Sequence, residues 1–120
     1  FSDVLKACIR IARRHTEFLK NFVQTLTVIK VGRLAWAQCA IRVPNRDRFQ
    51  EKLKKFAVTT AVYCPIPLNR QLGYLKYLVA PGWAQVSEAL ALGVTSLPMH
   101  PYINEQTQDR VVEVQKNAIR

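Results

Sequence analysis

Between Ser2 and Val23, Leu5, Cys8, Ile9, Ala12, Thr16, Leu19 and Val23 fall on one stripe at helical spacing, with Lys6, Arg10, Arg13 and Arg14 roughly opposite. That pattern predicts an amphipathic helix. His15 lies near the edge of the stripe. The period then changes. Leu26–Val31 is rich in β-branched residues and Gly32-Arg33 reads as a turn. From Trp36 to Val43 the chain alternates, with Cys39, Ile41 and Val43 on one side and Gln38 and Arg42 on the other. Two strands paired as a hairpin are expected here.

Pro44-Asn45 opens a second helix, with Asn45 at the N-cap and Asp47 in the first turn, where a carboxylate suits the helix dipole. Phe49, Leu53 and Phe56 mark its buried side. Residues 58–64 alternate as a third strand, which Pro65-Ile66-Pro67 stops because proline cannot donate to a ladder. A loop follows. A third helix runs from near Pro81 to Gly93, where glycine suits a left-handed cap. Residues 94–97 form a short strand, Pro98–Tyr102 a turn, and Asn104 caps a last helix carrying Val111, Val114 or Val112, and Ala118.

The order αββαβαβα predicts an α+β domain: a small antiparallel or mixed sheet of three to four strands with helices packed on one face. Residues 1–120 are read as one domain, with a lead-in helix over 1–24 and an α+β core over 25–120. The edges of so small a sheet call for a cover, either another domain or self-association.

Composition adds three constraints. With 49% hydrophobic residues the chain can bury a core without disulfides or a structural metal. Cys8, Cys39 and Cys64 form no Cys-x-x-Cys pair, and His15 and His100 are the only histidines. A metal site is therefore not expected, and the cysteines read as reduced thiols of a cytoplasmic protein. No apolar run is long enough to span a bilayer, and the first residues do not read as a signal peptide. Since the chain does not begin with Met, an upstream segment is expected.

The net charge of +10 favours acidic partners, nucleic acid among them. Yet the aromatics do not interleave with the cations as a stacking platform requires, and no helix-turn-helix, RNA-recognition or zinc-finger pattern is present. A solvated basic face accounts for the charge. Neither a Gly-rich phosphate loop nor a metal-ligating pair occurs. Cys64 with His100 would make a nucleophile dyad only with a third, orienting group, and none is evident. Trp36 and Trp83 read as packing residues, and His100 as a side chain bonded to backbone in its turn.

Two segments carry a resemblance. Thr60-Ala61-Val62-Tyr63-Cys64-Pro65-Ile66-Pro67-Leu68-Asn69-Arg70-Gln71 is similar to a segment of the DegT–StrS sugar aminotransferases in which a strand ends in His-Tyr-Pro, an apolar residue and Pro-Leu. Ser96-Leu97-Pro98-Met99-His100-Pro101-Tyr102, followed by Gln108-Asp109-Arg110-Val111-Val112, resembles the closing signature of the same family. The stretch from Trp36-Ala37-Gln38 to Pro44 and the helix after it agree.

That resemblance implies the C-terminal small domain of a fold-type-I enzyme that aminates keto groups on nucleotide-linked sugars with pyridoxal phosphate. It also implies that the large domain supplies the Schiff-base lysine, the carboxylate for the pyridine nitrogen and most of the phosphate cup. No catalytic and no cofactor-binding residue is therefore expected in this chain, and it should be inactive alone. The substrate-side candidates by resemblance are Tyr63, Cys64, Asn69 and Arg70. The family pair His-Tyr is Tyr63-Cys64 here, which removes the imidazole and displaces the phenol. Arg70 has the charge to meet a phosphate, and also reads simply as a solvated loop arginine. The expected partner is a large aminotransferase domain, or a second copy of the chain. The alternative is a stand-alone basic module, binding an acidic ligand, nucleic acid or protein, that kept the fold.

Overall fold

A computed structural model describes residues 1–120. Helix α1 spans Ser2–Leu19 and strand β1 Gln24–Thr25, followed by β2 over Cys39–Arg42 and α2 over Arg46–Lys55. A 3-10 turn occupies Leu68–Arg70, then come α3 (Gln85–Gly93), β3 (Val94–Leu97) and α4 (Glu105–Ile119). The sheet has three antiparallel strands in the order β1-β2-β3, with Gln24 opposite Arg42 and Cys39 opposite Leu97. Residues 58–61 flank β3 on its other edge. Ala61 and Ser96 exchange backbone hydrogen bonds of 3.0 and 2.8 Å, a fourth strand reduced to one bridge. Gln50 Nε2 secures that bridge by donating to Thr60 Oγ1 at 2.8 Å and Thr95 Oγ1 at 3.3 Å.

Cys39, Ile41, Val43, Thr95 and Leu97 are buried, and the hydrophobic ones among them share a core with Ala12 and Leu19 of α1, Phe49 and Leu53 of α2, and Val111 and Val112 of α4. The alternate positions, Ala40, Val94 and Ser96, face a hollow bordered by α3. Helix α4 packs against both α1 and α2. Gln108 Nε2 donates to the Ile11 carbonyl at 2.7 Å in the buried α1–α4 seam, and Lys52 Nζ donates to the Ala118 carbonyl at 2.9 Å across α2–α4. The Asn104 side chain accepts from the Thr107 amide at 2.8 Å, the cap its position predicts.

Several expectations need correction. The predicted hairpin does not form: residues 26–31 pair with nothing, β2 pairs instead with Gln24–Thr25, which precede the predicted strand, and residues 26–38 are irregular. Leu26, Val28, Ile29 and Val31 have strand propensity yet no second apolar surface to lie against, and all stay exposed. Trp36 sits at φ 55°, which a continuous strand does not allow. The buried stripe of α1 is rotated toward α4, so that Ile11 and His15 are interior while Leu5 and Ile9 are half-buried. Arg14 leaves the basic face and pairs with Asp109. Phe56 and Trp83 are exposed, not packed. Asn45 precedes α2 in the left-handed region without a side-chain cap bond. Gly93, by contrast, is not left-handed: a Cβ there would stand 3.2 Å from the Val43 carbonyl oxygen, so close approach to β2 is what it serves.

The left-handed cap falls instead on Ala57, at φ 57°. Val58 N–H donates to the Leu53 carbonyl and Ala57 N–H to the Lys54 carbonyl, the Schellman pair that ends α2. A Cβ in this conformation costs about 1 kcal/mol. Ala57→Gly is therefore expected to stabilise the chain by about 1 kcal/mol, read as a higher urea midpoint with an unchanged slope. An unchanged or lower midpoint would refute the assignment.

His15 is 1% exposed, and neither ring nitrogen has a well-formed hydrogen bond. Burial drives its pKa down to about 4, the Pro98 carbonyl holds it up somewhat, and neighbouring Arg14 lowers it further. The folded pKa thus lies below that of the unfolded chain, so the unfolded state binds the extra proton. Stability should be complete above pH 6.5 and fall by about 3 kcal/mol as pH drops toward 4, with no further loss from this group below that. Urea midpoints of the native chain and of His15→Leu, compared between pH 7 and pH 4.5, check this. The variant should lose the part of the pH dependence that His15 contributes.

Candidate functional site

The two prolines that end the 58–64 stretch turn the chain back across the sheet face away from α1, α2 and α4. The result is a hollow of about 720 Å³. Ala40, Val94 and Ser96 form its floor, Ser87, Leu90 and Ala91 of α3 one wall, and residues 61–68 with Gln71 the other. Tyr63 and Cys64 stand together on that second wall, both exposed. The rest of the lining is apolar or neutral polar, with no lysine, arginine, histidine or carboxylate.

Asn69 and Arg70 do not join them. Both turn to Glu88 on α3: Asn69 Nδ2 donates to Oε1 at 2.7 Å, Arg70 Nε to the same oxygen at 2.8 Å, and Nη2 to Oε2 at 3.2 Å. Hydrogen bonds from Arg70 first and Asn69 second hold the Glu88 carboxyl below the usual carboxylate range, and Glu88 in turn raises Arg70. The arginine is thus neither solvated and unpaired nor free to meet a phosphate without giving up Glu88. Its place in the fold is to clamp the 3-10 turn onto α3. Glu88 is what the sequence reading missed, and an acidic residue in the first turn of α3 was the available signal.

The lining bears on what the hollow can hold. An aldehyde cofactor such as pyridoxal phosphate needs an amine for imine formation and cations or amides for its phosphate. With no lysine on these walls, the lining of this hollow does not by itself fit that group. A neutral hydroxylated ring does suit them: Gln38, Gln71, Ser87 and Ser96 offer hydrogen bonds, and Tyr63 an aromatic face. No cluster of three metal-ligating side chains exists, and no helix is long and apolar enough to cross a membrane. His100 behaves as its turn predicts, its Nδ1 accepting from the Tyr102 amide at 3.2 Å.

Comparison with known proteins places this geometry. The model of the DegT/DnrJ/EryC1/StrS aminotransferase family matches residues 3–116. A UDP-2-acetamido-2-deoxy-3-oxo-D-glucuronate aminotransferase of Pseudomonas aeruginosa is 37% identical over 107 residues, covering 87% of this chain and 28% of its own. The crystal structure of a family aminotransferase from Brucella abortus superposes with a TM-score of 0.90 at 40% identity, over 96% of this chain and 31% of that one. A Bacillus subtilis protein solved with bound cofactor PMP superposes at 0.78 with 26% identity, over 97% of this chain and 28% of that one. The chain therefore spans about 30% of the length of the relatives it matches. The reading as a stand-alone basic module gains no support from them.

Thiol chemistry reports directly on the wall of the hollow. Cys8 and Cys39 are buried, and burial pushes the Cys39 thiol up to about 11, whereas Cys64 is exposed. Ellman's reagent at pH 8 is expected to titrate one thiol in the native chain and the other two only in denaturant. Rapid reaction of two or three native thiols would contradict the placement.

Proposed function

This chain belongs to the DegT/DnrJ/EryC1/StrS aminotransferase family, whose members depend on pyridoxal phosphate, and from that premise we propose that it is the C-terminal small-domain portion of a nucleotide-sugar aminotransferase. It works only when joined to the cofactor-bearing portion, in one chain or through a partner chain.

One observation carries this reading. The accessible surface is 8920 Å², against about 6,600 Å² for a self-contained protein of this mass, an excess of about 2,300 Å². A specific interface takes about 800 Å² from each partner, so the excess is interface-sized several times over. The radius of gyration, 15.9 Å against about 13.6 Å, agrees. Much of the surplus is apolar and continuous in sequence: Leu72, Tyr74, Leu75, Tyr77, Leu78 and Trp83 stand exposed between the 3-10 turn and α3. A chain that folds to the family's shape yet leaves this much apolar surface in water is built to be covered.

In this reading the hollow forms the sugar-facing wall of the completed site. Tyr63 and Cys64 touch the substrate, and Asn69 and Arg70 hold the wall against α3 through Glu88. Replacement of the His-Tyr pair by Tyr63-Cys64 changes which sugar fits. The amine and the phosphate-binding groups belong to the other portion.

A graft tests the proposal. Residues 1–120 replace the matching stretch of the Pseudomonas aeruginosa aminotransferase, and cofactor loading is read from aldimine absorbance. A folded, cofactor-loaded graft whose sugar preference moves back toward the parent's on Tyr63→His/Cys64→Tyr is the expected result. A folded graft that loads no cofactor would sink the proposal. So would a single stoichiometric lysine adduct on the isolated chain after pyridoxal phosphate and borohydride, since that would make it a cofactor protein in its own right.

A further inference from the structure

On the far side of α1 lies a second, larger concavity. Residues 25–36, the arms of the hairpin that fail to pair, arch beside the helix and leave a groove of about 1260 Å³ between them. Its apolar lining includes Leu5, Ile9, Phe18, Leu26, Ile29 and Trp36. Exposed Ile29 and Val31 crown the arch, Val31 at 92%.

The charges around this groove are unbalanced. Arg13, Lys30 and Arg33 line it and none of them forms an ion pair. Arg14 also lines it, but is neutralised by Asp109, with Glu105 at 4.0 Å. The one carboxylate in the lining, Glu17, is held by Lys20 at 2.6 Å. Three free cations therefore surround an apolar trough with no free anion to answer them.

We propose that this groove seats an apolar segment flanked by carboxylates, belonging to the cofactor-bearing portion of a family-length aminotransferase. The inference rests on the reading above and adds the chemistry of the contact: leucine-like side chains fill the trough, and Asp or Glu on the segment's edges meet Arg13, Lys30 and Arg33. Charge complementarity selects this occupant. A second copy of the chain would bring another +10 and the same three cations to the groove, which like-charge repulsion opposes. Nucleic acid would satisfy the cations but leave Ile29, Val31 and the trough against phosphates. The occupant must answer both features, and a relative with some 70% of its length outside this stretch has the chain to supply it.

Two measurements test it. In the cofactor-loaded graft, zero-length carbodiimide coupling should join Lys30 to an Asp or Glu outside the grafted residues, identified by peptide mass mapping. Coupling within the 120 residues, to the grafted stretch of another subunit, or not at all overturns the inference while cofactor loading leaves the aminotransferase reading standing. Failure to load the cofactor brings down that reading first, and the groove is then judged on the isolated chain. There, in a Trp83→Phe background, buried Trp36 reports on occupancy by its emission. An amphipathic leucine–glutamate peptide should bind at least about tenfold more tightly than its leucine–lysine counterpart at low salt, a preference erased by Lys30→Glu/Arg33→Glu. Equal affinity for the two peptides, or tighter binding of a short DNA duplex than of the acidic peptide, overturns it.

Discussion

Everything in this fold is referred to α4. The last helix lies against both α1 and α2, and it is the piece that makes one body of them. Its hold on α1 is specific as well as apolar: a buried glutamine, Gln108, gives its amide proton to the Ile11 carbonyl, a bond that fixes the axial position of one helix on the other. Its hold on α2 runs through Lys52 to its C-terminal end and Arg110 back to Phe56. The sheet beneath is only four residues deep at its centre, too small to bury itself, and the three helices cover one face of it. The same seam carries buried polar groups without well-formed hydrogen bonds, His15 and both ends of the Gln115 amide. Packing holds the helices together although these groups oppose it, which is why proton uptake there bears on the whole fold.

Where local pattern and long-range demand agreed, the elements were legible. The Val94–Leu97 strand, the Asn104 cap and the Cys39–Ile41–Val43 alternation all appear as read. Each is set by short-range chemistry that tertiary contacts then reinforce. Residues 26–38 show the opposite case. Their β-branched run is a sound strand signal, but a strand forms only against a partner, and none is offered. Phe56 and Trp83 fail for a related reason: side chains suited to burial stay exposed because this chain has nothing further to bury them with. Rotation of the α1 stripe has another cause. Periodicity gives the width of a buried face, while its centre depends on where α4 lies, so Ile11 and His15 came out inside.

The make-up of the hollow was half legible. Tyr63 and Cys64 were found through a motif, and the structure brings them to one wall. That Asn69 and Arg70 turn away from that wall was not read: their partner Glu88 is distant in sequence, and its place in the first turn of α3 was the only hint of it. The groove beside α1 was not legible at all. It exists because the hairpin arms do not pair, which is the point at which the strand signal misled.

The hollow on the other face has walls without a permanent charge. In an assembled aminotransferase such a wall would shape the space available to a sugar while leaving ionisation at the reacting carbon to the opposite side. Selectivity and reactivity would then sit on separate stretches of polypeptide. On the proposed reading, substitutions on this wall, at Tyr63 and Cys64 among others, would accumulate during divergence and change which sugar fits while the proton-transfer apparatus stayed untouched.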